Sequence, residues 1–227
     1  MIFRQLFDAE SSTYSYLLGD TAGRQAVIVD PVREQATRDL GLLSELGLRL
    51  AYILETHVHA DHVTGAKALQ AQSGARSAVS RHCGASGFDW LLEDGDRITF
   101  GDEVVHAIAT PGHTPGSTCY LWRDRLLTGD TLLIGGCGRT DFQLGDAGAL
   151  YDSITGRLFT LPDDTLVYPG HDYHGRWVST IGEEKRTNPR LANVSREQFI
   201  EIMRNLDLPH PKKIAEAVPA NLRGGVP

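Results

Sequence analysis

Apolar residues in this chain fall into short runs that stop on glycine, proline, aspartate or histidine, not into long helical stripes. Residues 2–7 and 14–19 read as opening strands, and 25–29, closed by Asp30-Pro31, as another. Ala36, Leu40, Leu43 and Gly47 recur at helical spacing and predict a helix between residues 34 and 47. Residues 50–54 form a buried-strand pattern, followed by a polar turn and a helix start in 63–70. Residues 77–80 read as a short strand and 84–95 as an irregular or helical connector. Residues 96–100 and 103–109, split by Gly101-Asp102, predict a hairpin; 118–122 and 126–128, joined by Arg123-Asp124-Arg125, predict a second. A helix is expected over 148–158, and another over 196–205, where Ser195 and Gln198 have capping-box spacing. Beyond Leu208, prolines at 209, 211 and 219 favour an extended tail lying on the body. Strands, a helix, strands again and then helices imply an α+β fold of mixed sheets with helices outside. With no repeat or linker, 1–227 is expected to be one domain, its C-terminal helix and tail starting near 191.

Composition narrows the function classes. At 227 residues and 41% hydrophobic, the chain can bury one sizeable core. A net charge of −7 gives no electrostatic reason to bind nucleic acid or an anionic membrane. No apolar run is long enough for a spanning helix. Residues 1–7 lack a signal peptide's apolar core and no Arg/Ser-rich presequence is seen, so a cytoplasmic location is expected. Cys83, Cys119 and Cys137 are odd in number and widely spread, as free thiols of a reducing compartment would be.

The polar turn after residues 50–54 changes the picture most. Thr56-His57-Val58-His59-Ala60-Asp61-His62 places three of the chain's nine histidines and a carboxylate at the carboxyl end of a strand. In an extended stretch His57 and His59 share a face, while Asp61 and His62 need a backbone bend to converge. Later strands repeat the arrangement, each running into a turn and one ligand-type residue: Pro111-Gly112-His113, Thr128-Gly129-Asp130 and Pro169-Gly170-His171. Imidazoles and carboxylates in this pattern suit zinc or iron. Two divalent cations sharing Asp130, or one iron held by two imidazoles and a carboxylate, both draw on this residue set, and spacing alone does not choose.

The series T-H-x-H-x-D-H, P-G-H-T, T-G-D and P-G-H resembles the metallo-β-lactamase superfamily over roughly the first 175 residues. That resemblance implies an αββα sandwich, two mixed β-sheets with helices on the outer faces and a metal site at one edge. Gly136-Cys137-Gly138-Arg139-Thr140-Asp141-Phe142-Gln143, Tyr168-Pro169-Gly170-His171-Asp172-Tyr173-His174-Gly175, Glu183-Glu184-Lys185-Arg186-Thr187-Asn188-Pro189-Arg190 and Ala217-Val218-Pro219-Ala220-Asn221 resemble the persulfide dioxygenases, the glutathione-dependent sulfur dioxygenases. The resemblance implies a single Fe(II) per chain on His57, His113 and Asp130, with His59, Asp61, His62 and His171 supporting those ligands. It also implies oxidation of glutathione persulfide by O2 and water to sulfite and glutathione.

Glutathione carries two carboxylates and this chain is acidic, so local cations are needed to receive it. Arg139, in a glycine-rich loop nine residues after Asp130, is the first choice for a bidentate grip; Arg190 and Arg223 are weaker ones, better read as surface charges. Tyr173, two residues after His171, can reach the site from the same loop and hydrogen-bond a ligand or the persulfide. Cys137 reads more simply as a bystander than as a catalytic thiol. A sulfurtransferase of the rhodanese type is a candidate partner and a homodimer a candidate assembly. Two other functions compete: a dinuclear zinc thioester hydrolase like glyoxalase II, and a non-catalytic metal or thiol sensor. The complete ligand set counts against the sensor. The short region after Asn188-Pro189-Arg190 and the 136–143 stretch count against the hydrolase.

Overall fold

The computed structural model describes residues 1–226. Alternating side chains along the strands build two six-stranded sheets that face each other. The first contains β1 (Ile2–Asp8), β2 (Thr13–Asp20), β3 (Gln25–Val29), β4 (Arg49–Leu54), β5 (Arg76–Ser80) and β6 (Trp90–Leu92), in that spatial order. Its first three strands are antiparallel neighbours; from β3 to β6 the pairing is parallel. The second contains β7 (Arg97–Phe100), β8 (Glu103–Ala109), β9 (Thr118–Trp122), β10 (Arg125–Gly129), β11 (Leu166–Pro169) and β12 (Ser179–Thr180), neighbours in sequence order. Only its β10–β11 pair is parallel.

The period of two decides which side chains meet. Tyr14, Tyr16 and Leu18 of β2 and Val27 and Val29 of β3 point between the sheets, onto Val105, Ala107, Tyr120, Trp122 and Leu127. The alternate residues Leu17, Ala26 and Ile28 point outward, under α1 (Ala36–Glu45) and α2 (Ala66–Ser73). On the second sheet, Cys119, Leu126 and Val167 point outward beneath α3 (Ala147–Gly156), α4 (Ile181–Thr187) and α5 (Arg196–Arg204). This is the expected αββα sandwich. No helix among the described residues is long and apolar enough to cross a membrane.

Three expectations need correction. The 84–95 connector contains β6, whose Trp90 and Leu91 pair with Ala78 and Val79; three residues are too few for an alternating pattern to show. β12 and α4 were not anticipated: a two-residue strand carries no period, and α4 starts on the Thr180 cap. The C-terminal tail is not extended throughout, because α6 (Ile214–Asn221) forms with Pro219 inside it. Proline costs a helix one hydrogen bond, but here Ala217 and Ala220 bury against Val63, and Asn221 makes three hydrogen bonds to the body. Tertiary contact overrides the local preference. The expected capping box is present, with Ser195 and Gln198 each bonded to the other's backbone.

Candidate metal centre

All four ligand-bearing segments reach one edge of the sandwich. The turn carrying His57, His59, Asp61 and His62 leaves β4; His113 lies between β8 and β9; Asp130 follows β10; His171 follows β11. Cross-sheet hydrogen bonds fix this edge: Thr118 N–H donates to the Thr56 carbonyl, the Tyr120 hydroxyl to the Glu55 carbonyl and Tyr14 N–H to the Gly170 carbonyl, each at 2.8 Å.

His57, His113 and Asp130 each offer a donor atom within 4.8 Å of the others. The imidazoles are fixed from behind. His57 Nδ1 lies 3.0 Å from Thr56 Oγ1, whose hydroxyl donates onward to Asp30 Oδ2 at 2.8 Å. The hydroxyl proton is thereby committed, so Nδ1 carries the hydrogen and Nε2 keeps its lone pair. His113 Nδ1 donates to the Arg139 carbonyl at 2.6 Å, leaving its Nε2 lone pair 3.6 Å from Asp130 Oδ2. His171 repeats the device, with Nδ1 on the Ser12 carbonyl at 2.9 Å and Nε2 3.6 Å from Asp130 Oδ1 and 3.7 Å from Asp61 Oδ2. Burial, with His59 and His113 nearby, pushes His57 well below its ordinary pKa, so it is a neutral donor at neutral pH. Burial opposes ionisation of Asp130, but His171, His113 and His57 more than offset it and the carboxyl sits below its usual range.

A divalent cation fits this donor set. Asp130 Oδ1 is buried without a hydrogen-bond partner, an arrangement that costs free energy unless a cation completes it. Gly138 keeps the neighbourhood tight: a Cβ there would stand 2.3 Å from the Asp130 carbonyl oxygen and 2.9 Å from His113 Nδ1. At Gly170 a Cβ would stand 2.8 Å from Asp130 Oδ1.

His59, Asp61 and His62 form a second group, again within 4.8 Å. His59 Nε2 faces Asp30 Oδ1 at 3.0 Å and Glu55 Oε2 at 3.3 Å. Burial alone would discharge this imidazole, but Asp30 and Glu55 outweigh it and hold His59 well above its ordinary pKa. His62 Nδ1 lies 2.8 Å from Asp61 Oδ2, which also accepts from Thr13 Oγ1 at 2.9 Å. His59 Nδ1 and His62 Nε2 are buried without partners, like Asp130 Oδ1.

The residues expected to receive substrate divide. Tyr173 stands at the site: its ring stacks on His171 at 6.0 Å with 5° between planes, and it is 70% exposed. Partial desolvation, with Asp130, Asp61 and Asp172 close by, pushes its hydroxyl up to about 12, so it keeps its proton. It also borders a cavity of about 360 Å³ walled by Phe7, Tyr14 and Trp177. Arg139 does not present a free fork. Its Nε and Nη2 each donate to Asp141 at 2.7 Å, Nη1 donates to the Pro209 carbonyl at 2.7 Å, and the guanidinium covers the Phe142 ring. The expected bidentate grip on a substrate carboxylate is therefore taken by Asp141, and Arg139 reaches the centre through its carbonyl on His113. Arg190 donates to the Cys137 carbonyl at 2.6 Å, and Arg223, exposed after α6, to the Val226 carbonyl. Cys137 is 2% exposed and its thiol is pushed up to about 11 by burial, which leaves it unreactive.

Asp30 and Asn221 are the supports that motif reading missed. Asp30, 1% exposed, binds Thr56 N–H, the Thr56 hydroxyl and His59, and adopts a left-handed φ of 50°. The available signal was its place at the end of β3, the strand beside β4.

Comparison with known proteins agrees with this geometry. Residues 9–171 match the family model of the Metallo-beta-lactamase superfamily. Over its full length the chain is 52% identical to the persulfide dioxygenase ETHE1, mitochondrial, of Homo sapiens, covering 89% of that protein. The crystal structure of ETHE1 from Myxococcus xanthus is 58% identical and superposes with a TM-score of 0.97, covering 99% of this chain and all of that one. More distantly, TTHA1623 in a di-iron-bound form is 27% identical with a TM-score of 0.71, covering 83% of this chain and all of that one. The chain belongs to the metallo-beta-lactamase superfamily and, within it, to the persulfide dioxygenase ETHE1 family.

Proposed function

We propose that this protein is a persulfide dioxygenase that oxidises glutathione persulfide at a single Fe(II) held by His57, His113 and Asp130. One molecule each of persulfide, O2 and water gives glutathione and sulfite, both oxygen atoms of O2 passing to the outer sulfur and water supplying the third oxygen. The observation that carries this reading is the triad: two imidazoles with Nε2 lone pairs held open from behind, and one carboxylate with an unpartnered oxygen. Two imidazoles and one carboxylate around non-haem Fe(II) leave coordination positions open, and the iron supplies redox chemistry that zinc lacks.

The chain's own residues bind, orient and shield. Thr56 and the Arg139 carbonyl fix the two ring orientations. Tyr173 offers its hydroxyl from the cavity side, where it can donate to the anionic persulfide. The rings of Phe7, Tyr14 and Trp177 offer an apolar wall for the peptide portion. An iron held by His57, His113 and Asp130 would supply the redox chemistry, and a site that brought both reactants together there would make oxygen transfer effectively intramolecular. A rhodanese-type sulfurtransferase is the proposed source of persulfide, and a cytoplasmic homodimer the proposed form.

The purified protein is expected to contain one iron per chain and to consume O2 when given glutathione persulfide. A dinuclear thioester hydrolase is the second reading, and one observation favours it: His59 Nδ1 and His62 Nε2 stand unpartnered beside Asp61. Two zinc ions per chain with hydrolysis of a glutathione thioester would establish that reading in place of the first.

A further inference from the structure

Helix α6 is attached unlike the other helices. Its fully buried apolar contact is small, joining Ala217 and Ala220 to Val63, and the 207–210 stretch leading into it is exposed. Its most specific contact is polar. Asn221, 2% exposed, uses its whole carboxamide on the metal-binding turn. Its Oδ1 accepts from Thr64 N–H at 2.8 Å, while Nδ2 donates to the His59 carbonyl at 2.9 Å and the His62 carbonyl at 2.8 Å. The turn has no ladder of its own; Asp30 and Gln143 hold Thr56 and Val58, and the Asn221 bonds hold its second half, where the backbone bends. One planar amide reaches both carbonyls and so fixes their separation, and with it the arc over Ala60-Asp61.

We propose that Asn221 is a positioning residue of the metal centre, and that α6 is the latch that delivers its carboxamide to the turn bearing His57, His59, Asp61 and His62. A helix needed only to cover Val63 would do so with an apolar residue at 221. A buried carboxamide is costly unless every polar atom is satisfied, and here only the turn's backbone satisfies it. The inference rests on the metal-centre reading above, but not on the number of metals.

Three variants test it: Asn221→Ala, Asn221→Asp and Ala217→Gly. Asn221→Asp is isosteric and keeps the Thr64 bond, but sets an oxygen against two carbonyls. Ala217→Gly removes a buried methyl and helix propensity, which lowers global stability while the folded chain keeps α6 docked and its amide in place. Fe(II) affinity is measured by competition with a chromophoric chelator, and iron geometry by the electron paramagnetic resonance spectrum of the nitric oxide adduct of the loaded protein. Both Asn221 variants are expected to bind Fe(II) about 10- to 100-fold more weakly, with an altered spectrum. Ala217→Gly is expected to lower Tm with affinity and spectrum unchanged. Wild-type affinity and spectrum in the Asn221 variants would overturn the proposal. So would an Ala217→Gly loss of affinity equal to theirs at the same loss of Tm. A wild-type chain that loads two cations would overturn the one-iron reading alone, because the ratio of variant to wild-type affinity decides Asn221 either way.

Discussion

His57 and His113 are oriented by different acceptors, and the difference can be tested. His113 leans on a main-chain carbonyl, which no side-chain replacement removes, whereas His57 leans on the Thr56 hydroxyl and through it on Asp30. Thr56→Val keeps the volume and deletes that relay. It should weaken iron binding by about 10- to 100-fold, while Thr56→Ser retains it, as read from iron content after dialysis against a chelator. Asp130→Ala removes a ligand and should abolish both iron and O2 consumption. For Arg139→Ala, the bonds to Asp141, Leu208 and Pro209 predict a lower Tm and weaker iron binding through His113, with KM for the persulfide little changed. Kinetics and metal analysis on one preparation separate these effects. The ligand residues were legible in the sequence because each sits just past an apolar run, His113, Asp130 and His171 directly after a glycine and the other four on one polar turn. Asp30 and Asn221 were not legible in these roles, because Asp30 acts 26 residues away on Thr56 and Asn221 157 residues away on Thr64, through contacts that exist only once the sheets have formed.

Elements were legible where local chemistry and burial agree. The helix after Ser195 combines a capping box with an apolar face that buries Phe199 and Met203, and its expected start matches α5. Ser195→Ala should cost about 1 kcal/mol, measured by denaturant unfolding. α6 shows the opposite case, in which Pro219 argues against a helix that docking then stabilises. The β7–β8–β9 edge supplies a pH-dependent test. Glu103, 7% exposed, accepts from Trp122 Nε1 at 2.9 Å and Arg123 Nε at 2.8 Å. The Arg123 guanidinium and the Trp122 indole outweigh burial and hold its carboxyl below the ordinary glutamate value. A depressed folded pKa means that the ionised group adds stability above the unfolded value, and that this is lost as pH falls through the folded one. Glu103→Gln should therefore be less stable than wild type at neutral pH, and the gap should close as pH drops below about 4.3. A constant gap across that range would exclude the carboxylate as its source.

At the scale of the whole molecule, the sandwich turns four distant strand ends into one site, and it closes neighbouring ligand groups where the proposed reaction needs one. The superfamily motif announced all seven ligand-type residues but could not divide them, since the division depends on which side-chain atoms face inward once the sheets meet. In the folded chain, His113 and His171 approach Asp130 equally, at 3.6 Å, from opposite oxygens. Asp61 is already engaged by His62 and Thr13, and His59 by Asp30 and Glu55. Those contacts tie the Asp61 carboxylate and one nitrogen each of His59 and His62 to internal partners, leaving His59 Nδ1 and His62 Nε2 open, whereas the first group keeps a carboxylate oxygen, Asp130 Oδ1, without a partner. The first group is therefore expected to take the metal and the second to support it. Replacing His62 distinguishes the roles. If one iron binds on His57, His113 and Asp130, His62→Ala should lower Fe(II) affinity about 10- to 100-fold while saturation stays at one ion per chain. If the centre is dinuclear, wild type should saturate at two ions and His62→Ala at one, and anaerobic Fe(II) titration with elemental analysis reads that difference directly.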